Sequence, residues 1–329
     1  MTRVYITIDT EYSSGLVRSG GDDERADNFA RSIACIGPKG NAEDAGGVPH
    51  QLRTLEETGQ SAVFFVDPMP ALLWGVGAVE DVVGPIIEAG QDVQLHLHTE
   101  WLAFAGANRP LASGRTGQNL FDFTYEEQLE LIDYARTQLM AAGASAPIAF
   151  RAGNYGANDD TLRALAELGI AYDTSHCPAL VGTASQISLD ADAREPVEHG
   201  SVVEVPIASI ATPDGAQRHG QITALSLAEM RAAILHAQRQ GQETLTLVSH
   251  SFEFFNRKTS VVKHLVRQRF DRLCAFLRDT PGISSGTYRD HPPQVVNSHG
   301  PSALLPANSW RTGARLAEQA LVNALYGRQ

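Results

Sequence analysis

The chain has 329 residues, 43% of them apolar, and a formal net charge of −12. That allows one large barrel or two domains around an ample core, and it leaves no basic footprint for nucleic acid. No stretch of about 18 apolar residues could cross a bilayer. The distant cysteines Cys35, Cys177 and Cys274 form neither a Cys-x-x-Cys pair nor a disulfide framework, which fits a reducing compartment.

The N-terminus lacks the apolar core of a signal peptide, so the expected location is the cytoplasm. Residues 4–8 are β-branched and apolar and predict a first strand. Residues 12–47 read as an insertion. A helix over 51–58 stops at Gly59 and feeds a strand over 62–66. A helix over 79–89 stops at Gly90 before a strand over 92–98, and residues 101–123 read as a second insertion. Thr124-Tyr-Glu-Glu127 is a capping box opening a helix with Leu129, Ile132 and Leu139 on one side. A strand over 148–151, a short helix over 161–168 and strands over 170–172 and 202–205 follow. Ser226-Leu-Ala-Glu229 is a second capping box, leading a helix with Leu227, Met230 and Ile234. Then come a strand over 244–248, a long helix over 261–277 and a strand over 282–287.

Seven or eight strands alternating with helices predict a parallel α/β architecture. No Gly-x-Gly-x-x-Gly follows the first strand, which argues against a dinucleotide site. The division expected is a barrel over residues 1–290 and a C-terminal extension over 291–329. The extension carries one helix, 311–325, that either packs on the body or mediates self-association, so an oligomer is left open.

Polar residues collect at strand ends. Asp9 and Glu11 follow the first strand, Asp67 ends the second, and His96 and His98 end the third. Arg151 ends the fourth, Asp173 the next, and His250 follows 244–248. In a parallel barrel that rim is where sites are built. His96 and His98, two apart on a strand, point the same way and suit a divalent metal, most often zinc. Each has a plainer reading. Two histidines can be structurally satisfied, Asp9 or Asp173 can close a turn, Arg151 can be an ion-pair partner, and His250 can be a core histidine. Glu100, His176 and Glu253 are assigned supporting or surface roles.

These segments resemble the polysaccharide deacetylases, the NodB-homology carbohydrate esterases of family four, across most of residues 3–290. Thr7-Ile-Asp-Thr-Glu11 sits where the family has Thr-Phe-Asp-Asp-Gly, and Ser61-Ala-Val-Phe-Phe-Val66 is similar to its Ala-Thr-Phe-Phe-Val strand. Gly90-Gln-Asp-Val-Gln-Leu-His96 matches Gly-His-Glu-Ile-Gly-Asn-His without gaps. Phe150-Arg-Ala-Gly-Asn-Tyr-Gly156 resembles the third motif with one extra residue, Tyr172-Asp-Thr-Ser175 the fourth, and Leu247-Val-Ser-His250 the fifth. The resemblance implies an irregular, TIM-like (β/α)7 barrel. It departs at Thr10, where the family has a metal-binding Asp, and at Glu100, where it has a second His.

The resemblance implies a metal-dependent hydrolase removing an N-acetyl or similar acyl group from a carbohydrate. The divalent ion would be Zn2+, with Co2+, Ni2+ or Mn2+ as alternatives. Glu11 (or Asp9), His96 and His98 would be a variant ligand set. Asp9 would be the general base, Arg151 its partner, His250 the general acid, and Asp173 the group that orients His250. Competing readings are another metal-dependent amidohydrolase, in which His-x-His normally follows the first strand, and a glycan-binding barrel without turnover. A nucleotide-sugar, monosaccharide or lipid-linked precursor is expected ahead of an extracellular polymer.

Overall fold

The structure, a computed structural model, describes residues 1–37, 40, 44–105, 111–295 and 304–327. The chain runs β1 (Thr2–Thr10), α1 (Asp22–Ser32), α2 (Val48–Thr58), β2 (Val63–Val66), α3 (Ala71–Trp74), α4 (Gly77–Glu88), β3 (Asp92–Leu97), α5 (Tyr125–Ala141), β4 (Ala149–Ala152), α6 (Asp159–Glu167) and β5 (Tyr172–Asp173). It continues through β6 (Val197–His199), β7 (Val202–Glu204), β8 (Ser209–Ala211), β9 (Gln217–His219), α7 (Leu227–Gln240), β10 (Thr244–His250), β11 (Phe255–Asn256), β12 (Val261–Val262), α8 (His264–Asp279), β13 (Ile283–Ser285) and α9 (Ser309–Tyr326).

One sheet follows the order β10-β1-β2-β3-β4-β5-β7-β6, with β13 also on β1. All its pairings are parallel except β6 with β7. β1 is flanked by β13 along Thr2–Val4 and by β2 along Thr7–Thr10, while β10 runs beside it from Arg3 to Asp9. Single bridges from Ile207 to Thr246 and from Gln221 to Val248 carry the far side of the curled sheet back to β10. This is the expected irregular (β/α)7-type, TIM-like barrel.

Period-2 alternation sorts the strands into two faces. Val4, Ile6 and Ile8 join Phe64, Leu95, Phe150 and Leu247 in the large outer cluster under the helices. Tyr5, Val63, Phe65, Ala149 and Val205 point inward and pack with Tyr288. The inward face turns polar toward the carboxyl ends of the strands. Thr7, Asp9, Gln94, His96 and Arg151 lie on it and are all buried. Gln94 earns its place there because its side-chain oxygen accepts the backbone N–H of Ile148 and of Ala149, both at 2.9 Å.

Both capping boxes form. Thr124 Oγ1 accepts the Glu127 N–H at 3.3 Å while the Glu127 carboxylate accepts the Thr124 N–H at 3.0 Å, and Ser226 and Glu229 repeat the exchange. α2 starts earlier than expected, at Val48, and stops at Gly59 in the left-handed region (φ 63°). The predicted helix over 261–277 begins only at His264, because Val261 and Val262 pair antiparallel with Asn256 and Phe255. Two β-branched residues favour that extended ribbon over a helical turn. The strand predicted at 170–172 is Tyr172–Asp173. The insertion over 12–47 contains α1, and the described residues of that over 101–123 include three short 3-10 turns. The tail returns to the body: Leu305 bridges Ile210, and Val322 of α9 is buried.

Candidate active site

Parallel register carries one set of side chains to the carboxyl ends of the strands. Asp9 lies opposite His250, and His96 opposite Arg151. His98 follows β3 but keeps extended backbone (φ −105°, ψ 121°), so the alternation persists and both imidazoles face inward. Their ring centroids are 4.8 Å apart. Glu11, just beyond β1, brings its Oε2 to 2.5 Å from His98 Nε2 and 3.6 Å from His96 Nε2. The donor atoms of Glu11, His96 and His98 all lie within 4.8 Å of one another.

The outer nitrogens of both rings are already engaged. His96 Nδ1–H donates to the Arg151 carbonyl at 2.8 Å, and His98 Nδ1–H donates to Glu100 Oε2 at 3.0 Å. Each contact turns an Nε2 toward Glu11, the arrangement that orients histidines on a metal. Glu11 Oε2 is buried yet accepts no hydrogen bond of normal geometry. One carboxylate oxygen and two imidazole nitrogens crowding a single point is a donor set that a divalent cation satisfies. Burial opposes ionisation of Glu11, but the neighbouring His98 and His96 outweigh it and hold the carboxyl well below the usual range. Burial likewise opposes protonation of His98, but Glu11 and Glu100 raise it well above 6.5.

The backbone opposite is shaped to admit these rings. A Cβ on Gly153 would stand 2.7 Å from His98 Nδ1. Asn154 and Tyr155, the next two residues, both adopt left-handed backbone with φ of 57°. Such conformations cost on the order of 1–3 kcal/mol each for residues with a side chain. Asn154 Nδ2 donates to Glu100 Oε1 and to the Gln118 carbonyl, each at 3.2 Å, so the turn braces the carboxylate that braces His98.

Asp9 is held from the other side. Arg151 Nη1 donates to Asp9 Oδ1 at 2.6 Å, and Nη2 donates to Thr7 Oγ1 at 2.8 Å. The fully buried guanidinium lies over the Phe65 ring, 4.5 Å from its centroid. His250 Nε2 stands 3.8 Å from Asp9 Oδ2.

The expected partner of His250 is a correction. Among the described residues no contact joins Asp173 to His250. Register sets Asp173 opposite Glu204 of β7, and its carboxylate accepts from the Ser175 N–H at 2.9 Å and the Ser175 hydroxyl at 2.8 Å. Burial, together with the neighbouring Asp173, keeps Glu204 protonated well above the usual range. The carboxylate on His250 is Glu253, with Oε1 at 3.4 Å from Nδ1. Glu253 is 3% exposed and also accepts from Gln221 Nε2 (2.5 Å), Thr223 Oγ1 (2.8 Å) and Ser249 Oγ (3.0 Å). Burial pulls the His250 pKa down, but Glu253 and Asp9 outweigh it and raise it to about 9.

Asp67, the residue that follows β2, also stands beside the imidazoles, its Oδ1 3.4 Å from the His98 backbone nitrogen. Its Oδ1 accepts the Met69 N–H at 3.1 Å, while Oδ2 is buried without a partner. Burial, opposed by His98 and His96, pushes its pKa up to about 6. Thr10 is buried and its hydroxyl donates to the Ile8 carbonyl at 3.1 Å. His176, also buried, has its pKa driven down to about 4 by burial.

No family model matches the chain, and no curated protein matches it. Among solved structures it is similar to a protein described as a polysaccharide deacetylase from Mycobacterium smegmatis, with a TM-score of 0.52 and 17% identity over 91% of this chain and 95% of that one. It also aligns with a family 4 carbohydrate esterase from Streptomyces lividans, at a TM-score of 0.43 and 12% identity over 92% of this chain and 98% of that one. A 4-alpha-glucanotransferase from Thermococcus litoralis aligns at a TM-score of 0.49 and 11% identity, over 94% of this chain and 42% of that one. The fold is that of the polysaccharide deacetylases, and at these identities the likeness is one of fold.

Proposed function

We propose that this protein is a metal-dependent carbohydrate deacetylase, hydrolysing an N-acetyl or similar amide on a sugar or glycan precursor. The observation that carries the reading is the convergence of Glu11, His96 and His98 on one point, with Asp9 and His250 close beside it. Glu11, His96 and His98 would hold the cation, and Zn2+ best suits one carboxylate and two imidazoles. When bound, it would supply Lewis-acid polarisation of the acyl carbonyl and of the attacking water.

The rest follows from the chain's own groups. Asp9, aimed by the Arg151 guanidinium, accepts the proton that the water loses as its oxygen bonds to the acyl carbon. His250, protonated at neutral pH, gives a proton to the amine nitrogen as the C–N bond breaks. Water and amide thus become a carboxylic acid and a free amine. Glu253 fixes the tautomer and orientation of His250 and stabilises its charge. Glu100 does the corresponding work for His98, so the two departures from the family pattern are absorbed by neighbouring residues.

The test is a screen of N-acylated sugars with added zinc, cobalt, nickel or manganese, reading released acid. At least one sugar should release acid in a metal-dependent way. His250→Ala should then lower turnover by roughly 10²–10⁴-fold at unchanged metal content. Metal loss in that variant would move His250 into the coordination shell and overturn its role as acid.

A further inference from the structure

The closing helix α9 is amphipathic in the reverse sense. Its polar side faces the barrel: Glu318 accepts from Arg269 Nη2 at 2.7 Å, and Arg315 Nε lies 3.9 Å from Glu229 Oε2. Asn256 Nδ2 donates to the Tyr326 carbonyl at 2.7 Å and ties down the C-terminal turn. Its apolar side faces outward. Trp310 is 90% exposed, and Leu316, Leu321 and Leu325 are each at least half exposed. Apart from Ser309, every exposed residue of α9 is apolar or glycine. That face spans about half the helix circumference, where a surface helix normally carries its charges.

We propose that this face is the dimerisation surface of the protein, and that its occupant is α9 of a second copy. The area fits: one partner of a standard-size interface contributes about 800 Å², and this face offers Trp310 at 90% exposure with Leu316 at 55%, Leu321 at 50% and Leu325 at 59%. The shape fits too. Gly313, Ala317, Ala320 and Ala324 line the centre of the stripe, so two helices can approach closely, and Ala317 lies at its midpoint. An antiparallel two-fold through Ala317 makes the contact isologous and closed. It sets Trp310 opposite Ala324 of the partner subunit, large against small. The face carries no charge and the chain is net −12, so nothing on it attracts an anionic bilayer or a charged protein.

Sedimentation equilibrium of the full chain over about 1–100 μM, without lipid, should give twice the chain mass. Leu321→Glu and Ala317→Glu should each give the monomer with unchanged helical circular dichroism. Ala317→Cys should oxidise to a cross-linked dimer, because Cys35, Cys177 and Cys274 are all buried. A wild-type monomer across that range would overturn the proposal. So would a dimer indifferent to both glutamates, or a monomer that instead co-sediments with phosphatidylcholine or phosphatidylglycerol vesicles.

Discussion

His250 and Glu253 form a unit in which the carboxylate determines when the imidazole carries its proton. With its pKa raised to about 9, His250 stays a competent acid through neutrality. Glu253→Gln should lower the alkaline limb of the kcat profile toward the ordinary histidine pKa of about 6.5, with little change in KM. Glu253→Asp should restore part of the shift, and an unmoved limb would remove Glu253 from that role. The same pair affects stability. The folded pKa lies above the unfolded one, so its stabilisation is complete below about pH 6.5 and is lost as pH rises through about 9. In metal-free protein, the wild type should therefore lose more thermal stability than His250→Gln between those limits. At this scale the sequence was legible where a residue ended a strand: Asp9, His96, Arg151 and His250 could be placed by position alone. Glu253 could not, because it lies in the turn three residues past β10 and its burial comes from Gln221 and Thr223, which approach from a separate segment. Position at a strand end points Asp173 toward His250, but the register of β5 on β7, invisible without pairing, gives it to Glu204.

The carboxyl end of β4 is the element on which the Glu11, His96 and His98 cluster leans. Gly153 leaves room for His98, and the left-handed Asn154 that follows holds Glu100. Gly153→Ala places a methyl group 2.7 Å from His98 Nδ1, so the ring must turn away from Glu100. Zinc affinity measured by calorimetric titration should weaken roughly 10–100-fold, the usual cost of losing an orienting partner. Unchanged affinity would show that Glu100 does not set the ring. The extra residue in this motif was visible in the sequence, but its consequence was not, since a turn of two left-handed residues follows from packing and not from propensity. Long periodic elements such as α5 and α7 were legible through their capping boxes. The three-residue strands β6, β8 and β9 were not, because so few residues carry no measurable period.

The sheet brings residues 9–11, 96–100, 151 and 250–253 together from across the chain, so the centre exists only in the folded barrel. A ligand that binds only the folded state stabilises it by about 2.7 kcal/mol at one hundred times its Kd. Added zinc should raise the melting temperature, and a chelator should reverse the gain. The parallel architecture was legible from alternating strands and helices, whereas the outward apolar face of α9 needed the tertiary structure to reveal it. Whether Glu11, His96 and His98 hold one cation is tested by metal stoichiometry from mass spectrometry on zinc-reconstituted, desalted protein, wild type beside His96→Ala, His98→Ala and Glu11→Gln. One equivalent is expected in the wild type and a loss in each variant, with all chains folded. A wild type that retains none, or variants that keep the full equivalent, would contradict that expectation.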